Sequence, residues 1–171
     1  MDKRGLRWLG LSLAVVLADR ATKAIFEAYT PVGYRHELLH DFIYLVHSRN
    51  PGIAFGLLAD TASPWVRAVL VAASLVVIAA LTWLLVAGHA RGWMSLAGLA
   101  LIIGGAAGNN LLDRHLHGGV TDFFEVLIGS YHWPAFNLAD SAITVGAAMV
   151  ILELLFGARH VTEDMPKQRT G

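Results

Sequence analysis

Four long apolar stretches constrain this sequence more than any other feature. They cover residues 6–26, 65–87, 93–112 and 137–156. A helix crosses about 30 Å of hydrocarbon in about 20 mostly apolar residues, so each stretch is long enough to span a bilayer once. The chain has 171 residues, of which 56% are hydrophobic. The sequence therefore predicts an all-α membrane protein built on four transmembrane helices.

The basic residues around these stretches predict the orientation of the chain in the membrane. One side would hold Lys3, Arg4, Arg7, Arg91, Arg159, Lys167 and Arg169. Because cytoplasmic segments are enriched in Lys and Arg, we expect both termini to be cytoplasmic. The segments at residues 27–64 and 113–136 then face outward, and they contain most of the unusual residues.

Composition and length also limit the domain organisation and the chemistry. We expect one membrane domain over residues 1–157, followed by a polar cytoplasmic tail over residues 158–171. The first apolar stretch lacks a small-residue cleavage site, so we interpret it as a retained span and not as a signal peptide. The net charge is zero and no basic run is present, so we expect no nucleic-acid partner. The absence of cysteine excludes disulfides, thiol nucleophiles and zinc–thiolate or iron–sulfur sites.

Several ionisable residues lie inside the predicted spans, where a charge is costly unless it is paired or faces a polar cavity. Asp19 and Lys23 are four residues apart with the acid first, which favours an ion pair on one helix face. We therefore predict a structural role for these two residues. Asp113 and Arg114 end the third stretch beside two asparagines, and their residue types are compatible with bracing a site or with catalysis by Asp113.

Asp122 and Asp140 differ from these residues because neither has a basic neighbour in the sequence. Two carboxylates held close together share one proton, since they cannot both ionise cheaply. One of them can then activate a water while the other protonates a scissile carbonyl. Their spacing alone is weak support for such a pair.

More specific support comes from short sequence words, which resemble the signature segments of the lipoprotein signal peptidase (signal peptidase II) family. Residues 19–23 resemble its Asp-x-x-x-Lys word, and residues 49–56 its Arg-Asn-x-Gly-x-Ala-Phe segment. Residues 104–114 resemble its Gly-Gly-Ala-x-Gly-Asn-x-x-Asp-Arg segment. Residues 118–123 match Gly-x-Val-x-Asp-Phe, and residues 133–141 match Pro-x-Phe-Asn-x-Ala-Asp-Ser.

This resemblance implies a membrane aspartic endopeptidase of the bacterial inner membrane. Its substrates would be diacylglyceryl-modified prolipoproteins, cut before the lipid-modified cysteine at the extracytoplasmic face. The resemblance also implies a small extracytoplasmic β-cradle, here Pro31 to Leu58, and a short surface helix between the third and fourth spans. We expect a monomer that contacts membrane lipid and uses no metal or cofactor.

The resemblance implies roles for individual residues. Asp122 and Asp140 would be catalytic. The residues that line or brace the site would be Asn50, Gly52, Asn110, Arg114 and Asn137. One position is ambiguous, because residues 104–114 contain one residue more than the family segment. Counting back from Asp113 selects Asn110 as the family asparagine, and counting forward from Gly104 selects Asn109. We favour Asn110.

The sequence also allows two other functions, a zinc protease and a small transporter. The run His36-Glu37-Leu38-Leu39-His40 matches the His-Glu-x-x-His word of zinc proteases, which places two histidines on one helix face. Strand-like residues follow this word and no third ligand is obvious. A small non-enzymatic transporter is the second alternative. Its charges would be expected to step across the membrane, whereas the acids here cluster at one face.

Overall fold

Helices account for most of the structure, a computed structural model that describes residues 3–51, 64–90 and 92–163, with side chains up to residue 156. The helices are α1 (Lys3–Tyr29), α2 (Pro64–Val86), α3 (Trp93–Ala106), α4 (Arg114–His117) and α5 (Leu138–Glu163). A π-helical segment, Ala107–Asp113, joins α3 to α4 without a break. The strands are β1 (Arg35–Leu39), β2 (Ile43–Asn50), β3 (Val120–Ile128) and β4 (Tyr131–Phe136).

Among the residues that the structure describes, three helical stretches are long and apolar enough to cross a membrane: Pro64–Val86, Trp93–His117 and Leu138–Phe156. They correspond to the second, third and fourth predicted spans. Helix α1 has 27 residues and is long enough, but Asp19, Arg20 and Lys23 make its second half much more polar. The first span therefore stays a prediction.

Helix α3 lies at the centre of the helical layer and packs against α1, α2 and α5. Its small residues allow close contact between backbones. A methyl group added at Gly98 would lie 2.6 Å from the Gly146 carbonyl oxygen, and one added at Gly146 would lie 2.6 Å from the Gly98 oxygen. In α2, by contrast, Leu85 is the one buried residue. Such an exposed apolar surface is what a lipid-facing helix presents.

The four strands form one antiparallel sheet in the order β1-β2-β3-β4. Strands β1 and β2 fall within the predicted cradle, whereas residues 52–58 of that prediction, Gly52 among them, lie outside the described residues. The Phe26 and Phe123 rings stack 4.8 Å apart. This contact joins the sheet to the C-terminal end of α1.

The predicted surface helix between the third and fourth spans is wrong. Residues 113–136 are all described, and they form one helical turn, α4, followed by the β3–β4 hairpin. The hairpin sequence is rich in aromatic and β-branched residues, which favour strands, and its two strands are joined by Gly129 and Ser130. The sheet therefore draws two of its strands from this segment.

Candidate active site

Asp122 and Asp140 are brought together by one asparagine, Asn137. The Asn137 side-chain amide donates a hydrogen bond to Asp122 Oδ1 at 2.7 Å. The Asn137 backbone N–H donates to Asp140 Oδ2 at 3.1 Å. Asn137 is fully buried and Asp122 is 4% exposed. Two carboxylates from different elements thus meet on the same residue in a largely dry site.

The start of α5 explains the position of Asp140. The Asn137 side-chain oxygen accepts a hydrogen bond from the Asp140 backbone N–H at 3.0 Å. Together with the bond from the Asn137 backbone N–H to the Asp140 carboxylate, this forms a reciprocal N-terminal capping box. Asn137 is therefore the N-cap of this helix. The cap fixes Asp140 in the first turn, where the helix dipole favours a carboxylate.

A turn and a strand position Asp122. Gly118 ends α4 with a φ of +74°, a left-handed conformation that favours glycine. Strand β3 then pairs with β2, so that Asp122 lies opposite Ser48. The neighbouring Thr121 hydroxyl donates a hydrogen bond to Glu27 Oε1 at 2.8 Å, which ties this part of β3 to α1.

Burial raises the pKa of Asp122 to about 7, and the negative charge of Asp140 acts in the same direction. The hydrogen bond from Asn137 and the positive charge of Lys23 oppose this shift. Near neutral pH, the two carboxylates can therefore hold one proton between them. One protonated and one ionised carboxyl group can act as acid and base in the same reaction.

Asn109, and not Asn110, contacts the acidic pair. The Asn109 side-chain amide donates to Asp140 Oδ1 at 2.8 Å, and its oxygen accepts from Lys23 Nζ at 2.6 Å. The Asn110 side-chain oxygen instead accepts from Arg114 Nε at 2.9 Å. Our preference for Asn110 therefore does not identify the asparagine that touches the carboxylate.

The π-helical segment explains why the sequence does not show which of the two asparagines matches the family asparagine. An α-helix that receives one extra residue can absorb it as a π-bulge, and such bulges are frequent at functional sites. Ala107–Asp113 contains both Asn109 and Asn110 and has seven residues. The wider turn lets the two adjacent asparagines reach different polar partners, one toward Asp140 and the other toward Arg114.

A buried charge network supports this arrangement from the α1 side. Lys23 is fully buried, and its ammonium group lies 2.6 Å from carboxylate oxygens of both Asp19 and Asp113. The other Asp19 oxygen accepts a hydrogen bond from the Ala139 backbone N–H at 3.0 Å. The predicted Asp19–Lys23 pair is confirmed, and it extends to the π-helical segment and to the start of α5.

Sequence reasoning missed three residues of this network. Arg20 Nη1 lies 3.1 Å from Asp113 Oδ1, and Arg20 also pairs with Glu27. Glu27 in turn accepts the bond from Thr121. The seven-residue spacing of Arg20 and Glu27, two helical turns on one face, was a usable signal in the sequence. Nothing in the sequence around Thr121 indicated its contact.

Arg114 and Asn50 lie where the sheet meets the helices. Arg114 is buried, and its Nη1 donates to the Pro51 carbonyl oxygen at 3.0 Å. Asn50 is the last residue of β2 and lies opposite Val120 of β3. Arg114 thus joins the end of β2 to the helical layer, which is a bracing position.

The His-Glu-x-x-His word has no helical geometry, because residues 36–39 lie in β1 and His40 follows in a turn. Glu37 Oε1 accepts a hydrogen bond from the Asp41 backbone N–H at 2.6 Å. It also lies within hydrogen-bonding distance of His40 Nδ1, at 3.1 Å. In the described part of the chain, one group of three side chains of metal-ligating type has its ligand atoms within 4.8 Å of one another. It consists of Glu37, His40 and Asp41. All three are exposed, and Glu37 already stabilises the turn.

Comparisons with known proteins add independent information. Residues 11–156 match the family model described as signal peptidase (SPase) II. A lipoprotein signal peptidase from Solibacter usitatus is 40% identical over 155 residues, which cover 88% of this chain and 92% of the relative. One from Burkholderia thailandensis is 46% identical over 149 residues, covering 86% and 87% of the two chains.

Two solved structures are also similar. Both are described as bacterial membrane enzymes solved by the in meso method. The one at 2.3 Å resolution has a TM-score of 0.79 and 26% identity, and the match covers 95% of this chain and 93% of the other. The one at 1.9 Å resolution has a TM-score of 0.76 and 29% identity, with coverage of 88% and 93%. The fold described above is therefore similar to that of membrane enzymes.

Proposed function

Because this chain belongs to the signal peptidase II family, we propose that it is an aspartic endopeptidase that removes the signal peptide from diacylglyceryl-modified prolipoproteins. Cleavage would fall before the lipid-modified cysteine. The observation that carries the aspartic mechanism is the buried Asp122–Asn137–Asp140 arrangement, in which one asparagine bonds both carboxylates.

The reaction follows from one proton shared by two carboxyl groups. The ionised carboxylate removes a proton from a water molecule, whose oxygen attacks the scissile carbonyl carbon. The protonated carboxyl group gives its proton to the carbonyl oxygen, which yields a neutral tetrahedral intermediate. The carboxyl group that took the proton from water then protonates the leaving nitrogen, while the other carboxylate takes a proton back from a hydroxyl of the tetrahedral intermediate. The C–N bond breaks, and the pair again holds one proton on its original carboxyl group.

The surrounding residues hold the two carboxyl groups in position and favour a single shared proton. The side-chain amide of Asn137 donates a hydrogen bond to Asp122 and that of Asn109 donates one to Asp140, so each carboxylate is held in its orientation. The nearby Lys23 charge lowers the pKa of Asp122, in opposition to burial. We propose that this balance keeps one carboxyl group ionised and the other protonated near neutral pH.

The same proposal places the site in the membrane. With α1 as a fourth span and both termini cytoplasmic, as the basic residues predict, the sheet and the start of α5 lie at the extracytoplasmic face. A substrate anchored by its acyl chains would present its backbone at this level. Binding energy from the lipid would then position the bond, although it is remote from the reacting atoms.

A matched pair of precursors tests this function. One precursor carries diacylglyceryl-cysteine and the other carries bare cysteine, and cleavage by the detergent-solubilised enzyme is followed by mass spectrometry. We expect cleavage before the modified cysteine, and a kcat/KM lower by at least about 100-fold for the bare precursor, the scale of effect that lost positioning produces. Equal kcat/KM for the two precursors would contradict the proposal.

The same assay separates the zinc alternative from the aspartic mechanism. The chelator EDTA should leave cleavage unchanged, and Glu37→Gln should cleave like wild type, because Glu37 stabilises a turn of the sheet. Loss of cleavage with EDTA and its recovery with zinc would replace the aspartic mechanism with a metal-dependent one.

A further inference from the structure

A groove of about 440 Å³ lies between α2 and the helical turn α4, outside the acidic pair. Its α2 wall includes Ala68, Val71, Ala72 and Leu75, and residues at this spacing form a continuous stripe on one helix face. The exposed Ala68, Ala72 and Leu75 give this wall a surface on which an acyl chain can lie.

The rim of the groove is basic. Arg67 belongs to the first turn of α2, and Arg114 and His115 come from α4. None of the ion pairs formed among the described residues involves Arg67, Arg114 or His115. Arg114 is buried and its charge interacts with the carboxylates of Asp113, Asp122 and Asp140. Among the described residues, Arg67 is therefore the guanidinium at this rim that no carboxylate neutralises.

The position of Arg67 fits the membrane interface. A methyl group added at Gly118 would lie 3.1 Å from Arg67 Nη1, so the guanidinium reaches across to the turn that follows α4. The start of α2 lies at the same end of the bundle as this turn, and the apolar stripe runs from it toward the membrane centre. The basic rim thus lies at the level of a phospholipid headgroup, and the apolar wall lies at the level of its acyl chains.

We propose that this groove binds an anionic phospholipid, with the phosphate at Arg67 and His115 and an acyl chain along the α2 stripe. Arginine suits this task because its planar fork bonds phosphate oxygens in pairs. Zwitterionic lipids carry a cation that the uncompensated Arg67 guanidinium disfavours. The acyl wall distinguishes a lipid from free phosphate.

This lipid is not the substrate of the proposed reaction. The diacylglyceryl group of a prolipoprotein contains no phosphate, so it would leave the basic rim without an anion. The inference depends on the groove alone, and a binding measurement tests it even if the proposed cleavage were disproved.

Native mass spectrometry in detergent with dioleoylphosphatidylglycerol and dioleoylphosphatidylcholine as probes tests the site. We expect wild type to retain the anionic lipid preferentially. The Arg67→Gln/His115→Gln variant should bind it at least about fivefold more weakly, since one basic residue near a lipid surface contributes a factor of this size. Ala72→Trp keeps every charge but fills the groove, and it should weaken binding as well.

Arg35→Gln is the matched control, because Arg35 is exposed and lies on the sheet, away from the groove. It should bind the anionic lipid like wild type. Equal retention of the two lipids by wild type, the same loss in Arg35→Gln as in the groove variant, or full binding by Ala72→Trp would overturn the proposal. Displacement of the lipid by equimolar inorganic phosphate would overturn its lipid identity.

Discussion

At the scale of single residues, Asn137 connects the two halves of the site. Its backbone and side chain start α5 through the bonds with Asp140, and its side-chain amide also bonds Asp122. One residue thus controls where a helix begins and how far apart two acids from different elements lie. Loss of its amide would affect both acids together.

The raised pKa of Asp122 predicts the pH dependence of cleavage. With a pKa of about 7, the shared proton is lost as the pH rises through this value, so kcat/KM should fall on the alkaline side of about pH 7. The apparent pKa belongs to the pair and not to one residue. A pH profile of cleavage with the diacylglyceryl precursor measures it, and a kcat/KM that stays constant from pH 6 to 9 would contradict it.

Stability follows the same titration. In the unfolded chain, Asp122 has its ordinary pKa of 3.8 and loses its proton above that pH. In the folded chain, the same carboxyl group keeps its proton up to about pH 7. This contribution to stability is therefore fully present below pH 3.8 and is lost as the pH rises to about 7. In Asp122→Asn, the slope of unfolding free energy against pH between these values should change by up to about 1.4 kcal/mol per pH unit.

Much of the acidic pair could be predicted from the sequence, because Asp122 and Asp140 stand in specific words. Asn137 could also be predicted, since an asparagine before a helix is a common cap. The contact of Asn109 with Asp140 could not. Which of two adjacent asparagines reaches a carboxylate depends on the local helical pitch, and the sequence does not specify where an extra residue is absorbed.

At the scale of elements, the network around Lys23 joins three helices. Lys23 contacts Asp19 within α1, and it contacts Asn109 and Asp113 in the π-helical segment. Asp19 continues the network to the start of α5. The spacing of Asp19 and Lys23 predicts the first contact only, since partners distant in sequence depend on how the helices pack.

This network predicts unequal effects of removing its members. Lys23→Met leaves Asp19 buried without its cation and leaves Asp113 with Arg20 alone, so it should lower the unfolding free energy by about 3–5 kcal/mol. Asp19→Asn should be milder, because Lys23 keeps Asp113 and the new amide can still accept from Ala139. Thermal unfolding in detergent measures both.

Arg35→Met is the control for a surface pair. Arg35 pairs with Glu125 on the exposed sheet, and such pairs contribute about 0–1 kcal/mol. The double variant Asp19→Asn/Lys23→Met should lose less stability than the sum of the two single changes. Equal losses in Lys23→Met and Arg35→Met, or strict additivity in the double variant, would contradict the network.

The β3–β4 hairpin shows why one element was predicted wrongly. The alternation and aromatic content of Val120–Ile128 and Tyr131–Phe136 favour strands, and a surface helix was expected there from the family resemblance alone. The residues themselves therefore predict this element better than the resemblance does. The pairing of β3 with β2 joins residues far apart in the chain, and no local signal specifies it.

At the scale of the whole molecule, both acids lie where the sheet meets one end of the helices. The apolar surfaces of α2 and α5 suit contact with lipid. The three apolar spans could be predicted from length and composition, while α1 carries too many charges for composition alone to identify it as a span. The charges in its second half pair with one another or with Asp113, which is compatible with the proposed membrane position of this helix.

The central claim is that Asp122 and Asp140 form a catalytic pair, and kcat for the single variants tests it most directly. Asp122→Asn and Asp140→Asn keep the shape of each side chain but remove the acid. Each should fold, as judged by thermal unfolding in detergent, and each should lower kcat for the diacylglyceryl precursor by on the order of a thousandfold or more. Asp41→Asn, on the exposed turn of the sheet, should cleave like wild type. Cleavage by a folded Asp122→Asn or Asp140→Asn variant within about tenfold of the wild-type kcat would contradict the claim.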